Sequence, residues 1–146
     1  MKNKKDASQN STVFWKMAKD YVDHRLPEIR KVSPNTVKAY RDSLNKYIDY
    51  LEAEKNIRRT DISFSDFNKS NIIDYLDWML NVRKYAYKTC NLRITAIHAL
   101  LEYAANENST DLMSIYLDAY SVKGLKVTAN PVEYFEEHQM KALLAA

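Results

Sequence analysis

Side chains able to cut, transfer or ligate are few in this chain, and they are scattered. His24, His98 and His138 share no metal-binding spacing, and Cys90 has no local partner that would make it a nucleophile. The carboxylates show no spacing typical of a general acid and base pair. A single glycine, Gly124, excludes every Gly-rich phosphate loop. The chemical content lies instead in cations and short polar residues. Between Trp78 and Leu101 stand Arg83, Lys84, Lys88 and Arg93 with no acid among them; Glu102 to Val122 reverses the sign, with Glu102, Glu107, Asp111 and Asp118 and no lysine or arginine. On a helical wheel, Lys88, Asn91, Thr95, His98 and Glu102 share the face opposite an apolar stripe of Cys90, Ile94, Ile97, Leu101 and Ala104. A lysine followed by short polar side chains suits phosphates and base edges.

The direction of that segment carries the point further. Helices favour acids in the first turn and bases in the last, yet Arg83, Lys84 and Lys88 stand at its start and Glu102 near its end. The arrangement forgoes a few tenths to about 1 kcal/mol, and it becomes sensible where an anion meets free amides and lysine together. Arg83 and Lys84 also follow the preceding predicted helix, whose carboxyl end favours cations, so both readings stand on these residues alone. An earlier segment repeats the theme more weakly. Lys38, Asp42, Asn45 and Lys46 face away from its apolar stripe, Arg41 lies at the border, and Arg30 and Lys31 come just before its start. Composition alone explains this as an ordinary solvated face.

The elements that must hold these faces are helical. The 146 residues are 46% apolar and 28% charged and include 11 Tyr, 4 Phe and 2 Trp, enough for the core of one domain plus tails or the start of another. One glycine and three prolines leave too few turn formers for a sheet. Periodicity predicts a first helix from about Thr12 to Leu26, ended or kinked by Pro27. Ser33 then Pro34 opens a second, which runs to Lys55 and stops at Asn56 with Ile57 as its apolar follower. Asp61 to Phe67 reads as an ordered connector. A third helix covers Ser70 to Val82, a fourth Tyr87 to Asn106, and a fifth Thr110 to Tyr120 after the cap candidate Ser109. The fold expected is all-α, a compact bundle of four to five helices. Residues 1–11 are expected as a disordered tail, 12–120 as the helical domain, 121–133 as a linker, and 134–146 as the opening helix of a second, truncated domain.

At this point the residues resemble a family. Ser33-Pro34-Asn35-Thr36-Val37-Lys38-Ala39-Tyr40 is similar to the S-x-x-T-x-x-x-Y signature in the amino-terminal, core-binding (SAM-like) domain of tyrosine recombinases, the phage-integrase family. Thr89-Cys90-Asn91-Leu92-Arg93-Ile94-Thr95-Ala96-Ile97, running into Glu102-Tyr103-Ala104, resembles that domain's last long helix. The linker and Tyr134 to Leu144 resemble the strap and first helix of the catalytic domain, although Glu136 stands where a Thr often caps that helix; near the end of the fourth helix, Leu100 and Leu101 replace the usual Phe. The resemblance implies a module that clamps one face of duplex DNA while a catalytic domain grips the other. It implies contacts from Thr36 and Lys38 on the second helix and from Lys88, Thr89 and Asn91 on the fourth, with Arg93 at a wheel position near the core; Arg41 and Thr95, from the polar faces read above, complete the expected DNA-binding set. The family's catalytic arginine, lysine, His-x-x-Arg and tyrosine nucleophile belong to the later domain, and no His-x-x-Arg occurs here.

The expectation is therefore a DNA-binding fragment of a site-specific recombinase or integrase, not itself an enzyme, with no cofactor and no metal. Its partners would be double-stranded DNA, the catalytic domain of the same protein and other recombinase protomers. The rival is a helical protein-interaction module that docks through the acidic Glu102 to Asp118 surface. A lone cysteine and a polar start without a membrane span or secretory signal point to a cytoplasmic location. The net charge of +3 is too small by itself to argue for nucleic acid.

Overall fold

Ser33 shows how local chemistry sets the architecture. Its hydroxyl accepts the Thr36 amide at 3.2 Å, Pro34 follows without an amide to satisfy, and helix α2 (Pro34–Lys55) begins there. Its far end is Asn56 in the left-handed conformation (φ 57°), with the Ile57 amide returning to the Leu51 carbonyl at 3.2 Å. Both ends match the sequence reading. The computed structural model describes residues 4–107 and 110–122, and five α-helices and no strand are found among them. Two short 3₁₀ turns (Arg59–Asp61 and Phe64–Phe67) form the expected connector, and α3 (Lys69–Asp77) follows on the Asn68 cap. Then come α4 (Tyr87–Glu107) and α5 (Thr110–Tyr120). All but the first two residues of the expected linker, and the helix expected at 134–146, lie outside the described residues.

The first helix departs from expectation at both ends. Helix α1 (Lys4–Asp20) starts eight residues before Thr12, inside the stretch expected as a disordered tail. Residues 4–11 contain neither glycine nor proline, so the helix extends through them without a breaker. Ser11 is buried and donates its hydroxyl to the Thr60 carbonyl at 2.7 Å, which anchors this extension to the connector. At the other end, α1 widens into a π-helical segment (Tyr21–Ile29) that passes through Pro27. In an α-register the proline ring would meet the carbonyl four residues back, and the wider turn relieves that clash. Helix α3 likewise runs on into a π-helical turn (Trp78–Val82).

The core is aromatic at one end and aliphatic at the other. Tyr47, Phe67 and Tyr75 are fully buried, with the Tyr47 ring 4.9 Å from both of the others, and the Tyr47 hydroxyl donates to the Asp66 carbonyl at 2.8 Å. Phe14 packs on Phe64 and Phe67, and the Trp15 indole donates to the Arg59 carbonyl at 3.1 Å, which joins α1 to the connector. Ile94, Ile97, Leu100, Leu101 and Ala104 bury α4 at the centre of the bundle. The predicted stripe of α4, Cys90 included, is entirely inside.

Candidate nucleic-acid interface

The start of α2 is fixed by its cap, which also places Thr36: Ser33 Oγ donates to Thr36 Oγ1 at 3.1 Å. One turn on, Lys38 is exposed and lies 2.9 Å from Asp42, its neighbour at i+4. Arg41, also exposed, reaches Asp23 of the π-helical segment at 3.9 Å, and Lys19 shares that carboxylate at 2.9 Å. Each α2 cation of the expected interface thus faces a carboxylate. Such exposed pairs contribute about 0–1 kcal/mol, so a phosphate can replace the carboxylate at little cost.

The start of α4 is built differently. Tyr85, half-buried, has the Arg93 guanidinium 4.7 Å from its ring centre on one hand and Arg83 at 5.7 Å on the other. Arg83 also lies 5.7 Å from the Trp78 ring and donates from Nε to the Tyr85 hydroxyl at 3.4 Å. That hydrogen bond, with the charge of Arg93, holds the Tyr85 phenol below its ordinary value. Beneath them Tyr75 is fully buried, and desolvation pushes its phenol up to about 12 against the opposing charge of Arg93. These two arginines are held by aromatic faces and by no carboxylate among the described residues. Lys88 is exposed and has no ion pair among the described residues.

Of the polar face expected on α4, Lys88, Thr95 and Glu102 are exposed, while His98 and Asn91 are not. His98 is buried, with Nε2 2.8 Å from the Ala119 carbonyl of α5 and its ring 5.4 Å from that of Tyr120. Asn91 is half-buried, and its Oδ1 is enclosed without a hydrogen-bond partner. The reason is α5, which packs along α4 and covers the side bearing His98. Leu92 is exposed beside Lys88, Thr95 and Glu102, while Thr89 is half-buried. Among the described residues no hydrogen bond, ion pair or ring contact joins Thr36, Lys38 and Arg41 to Lys88, Thr89, Asn91, Arg93 and Thr95.

Among the described residues no three histidine, cysteine or acidic side chains come together to hold a metal, and Cys90 is buried. A groove of about 320 Å³ between α1 and α2 is walled by Phe14, Trp15, Leu44, Ile48 and Leu100, with Arg41, Asp23 and Lys19 as its charged groups. No described helix is long and apolar enough to cross a membrane. Sequence reasoning missed the aromatic seat of Arg83 and Arg93, because the turn between α3 and α4 is what brings Arg83 over Trp78 and Tyr85, and Arg93 over Tyr85.

Comparison with known proteins fits the helical pattern. Residues 19–108 match the family described as phage integrase, N-terminal SAM-like domain. Over 125 residues the chain is 28% identical to "Putative integrase/recombinase y4rC" of Sinorhizobium fredii (strain NBRC 101917 / NGR234), an alignment that covers 84% of this chain and 36% of that protein. The chain therefore spans little more than a third of that relative's length. No solved structure matches it.

Proposed function

The chain belongs to the phage integrase N-terminal SAM-like domain family, and from that premise we propose that it grips duplex DNA for a site-specific tyrosine recombinase. Its own role is binding; strand cleavage and rejoining belong to a catalytic domain of the same protein, and other protomers assemble beside it on the DNA. The observation that carries this reading is the start of α4. Arg83, Lys84, Lys88 and Arg93 stand together in an acid-free stretch, two of them seated on aromatic rings and Lys88 open to solvent without a counter-ion among the described residues. A positive potential that no carboxylate cancels is what a phosphate backbone requires. Lys88, Thr89 and Thr95 then reach DNA from α4, and Thr36, Lys38 and Arg41 reach it from α2. Asn91 and Arg93 set the face from within, the first half-buried and the second stacked on Tyr85. The protein-docking alternative draws on no comparable feature.

The test is fluorescence anisotropy of this chain against labelled duplex DNA across a salt series. One half of a clamp should bind weakly, near the non-specific range of about 10⁻⁴ to 10⁻⁶ M. Three to five phosphate contacts give a log-log salt slope of about −3 to −4.5. A Lys38→Ala/Lys88→Ala double variant of unchanged helicity should lose most of the binding and flatten the slope by about two. Wild-type binding that ignores salt would refute the proposal.

A further inference from the structure

The two elbows that lead into α2 and α4 are copies of one another. In the first, the π-helical segment ends at Ile29, then Arg30, Lys31, Val32 and Ser33 lead to Pro34; in the second, Val82 is followed by Arg83, Lys84, Tyr85 and Ala86, which lead to Tyr87. The backbone repeats with the residues. The Arg30 amide donates to the Arg25 carbonyl at 2.8 Å and Val32 to Leu26 at 3.0 Å; Arg83 donates to Trp78 at 3.0 Å and Tyr85 to Met79 at 2.9 Å. Val32 and Tyr85 each turn a half-buried side chain onto the core. The first bond of each following helix also corresponds, from Val37 to the Ser33 carbonyl at 3.0 Å and from Cys90 to the Ala86 carbonyl at 3.1 Å. Thr36 and Thr89 then occupy equivalent places, three residues after Ser33 and Ala86.

At the apex of each elbow a lysine adopts the left-handed conformation, Lys31 with φ 55° and Lys84 with φ 58°. A side chain with a Cβ carries a steric cost there that glycine avoids and asparagine lessens. The one other positive-φ residue among those described is Asn56, the ordinary choice at a helix stop. Both elbows instead keep lysine, in both cases directly after arginine. The fold makes little use of either ammonium. Lys84 is exposed with no ion pair or hydrogen bond among the described residues, and Lys31 reaches only the Glu28 carbonyl, at 3.5 Å. A costly backbone position held twice by a cation that forms no ion pair among the described residues points to an external anion.

We propose that the two elbows are equivalent phosphate grips. Lys31 and Lys84 each hold one phosphate of the duplex, with Arg30 and Arg83 beside them. The proposal rests on the DNA-binding reading above and deepens it: among the cations that precede α2 and α4, it assigns Lys31 and Lys84 as the pair that holds phosphate.

Glycine provides the test, because Lys31→Gly and Lys84→Gly remove the charge while keeping the left-handed apex. Full-length Lys31→Gly/Lys84→Gly should melt no lower than wild type, bind labelled duplex DNA about tenfold more weakly at low salt, and show a salt slope shallower by about two. Each single variant should account for about one of those two. Lys31→Arg/Lys84→Arg should keep wild-type binding. A control that removes the same charge from two exposed lysines elsewhere, Lys16→Ala/Lys69→Ala, should leave the slope near wild type. Wild-type slope and affinity in the double glycine variant would overturn the elbows and leave the DNA reading standing. An equal loss in the Lys16/Lys69 control would overturn them too, as an effect of net charge. Absence of any wild-type binding at low salt would overturn the DNA reading and the elbows together.

Discussion

Ala86→Ser is the substitution in which the correspondence of the two elbows can be read as numbers. At the first elbow Ser33 Oγ accepts the Thr36 amide at 3.2 Å and donates to the Thr36 hydroxyl at 3.1 Å. At the second, Ala86 occupies the place of Ser33 and Thr89 that of Thr36, so α4 starts without a side-chain cap from that residue. A serine at 86 would find both partners waiting. Replacing alanine by a capping serine is worth about 1 kcal/mol, within a range of about 0.5–2, which for a domain of this size raises the melting temperature by about 3–6 °C. The same hydroxyl occupies the Thr89 amide, and an anion that uses this amide loses about one hydrogen bond, or about fivefold in affinity. Stability and DNA affinity should thus move in opposite directions in one variant, with Ser33→Ala lowering stability by the mirror amount. Thermal melts by circular dichroism and anisotropy titrations measure the pair. An unchanged melting temperature in Ala86→Ser refutes the equivalence of the elbows; a raised one with unchanged affinity refutes the part assigned to the α4 amides.

Three further outcomes follow from packing and protonation. Leu101 is 1% exposed at the centre of α4, so Leu101→Ala should cost about 2–5 kcal/mol, seen as an earlier denaturation midpoint with an unchanged slope. His98→Ala leaves the Ala119 carbonyl without its ring partner, costs about 1–3 kcal/mol, and should raise amide exchange across Thr110–Tyr120 before the rest of the bundle. Burial pushes the phenols of Tyr21 and Tyr75 up to about 12. The unfolded phenol ionises near 10, so the unfolded state gives up its protons first and stability falls as pH rises from about 10 towards 12, by up to about 1.4 kcal/mol per pH step for each phenol. Unfolding followed by circular dichroism should therefore coincide with tyrosinate absorbance in that window, and titration of these phenols at pH 10 in a folded domain would contradict their burial.

Legibility in the sequence followed the kind of signal available. Helix α2 was readable to the residue because both of its ends carry chemistry, a capping serine with proline and a left-handed asparagine. The apolar stripe of α4 was readable for a different reason: Cys90, Ile94, Ile97, Leu101 and Ala104 face one way and all are buried. The start of α1 was not, since residues 4–11 carry no apolar periodicity, and the bond from Ser11 to Thr60 joins positions far apart in the chain. The surface of α4 was legible in part: Lys88, Thr95 and Glu102 are exposed where the wheel puts them, but His98 is not. A helical wheel registers one apolar side, whereas this helix is covered on two, and polar His98 lies on the second because the Ala119 carbonyl satisfies it. The paired elbows were present as letters, Arg30-Lys31 and Arg83-Lys84, but their equivalence emerged from the backbone, where each lysine turns left-handed.

The two arms of the proposed DNA face are electrostatically unequal, and this inequality gives the order of their effects. On α2, Lys38 spends its charge on Asp42 at 2.9 Å and Arg41 shares Asp23 with Lys19. A phosphate that arrives there must displace a carboxylate and leave it close by, so the net gain is the difference between two similar pairs. On α4, Arg83 and Arg93 are held by the quadrupoles of Trp78 and Tyr85, which orient the cations without cancelling them, and Lys88 has no counter-ion among the described residues. A phosphate there meets the full charge. Lys88→Ala should therefore weaken DNA binding several-fold more than Lys38→Ala, and Asp42→Ala, which frees Lys38, should strengthen it. Anisotropy at one low salt concentration ranks the three variants. Equal losses from Lys38→Ala and Lys88→Ala, with no gain from Asp42→Ala, would mean that the local carboxylates do not govern this surface.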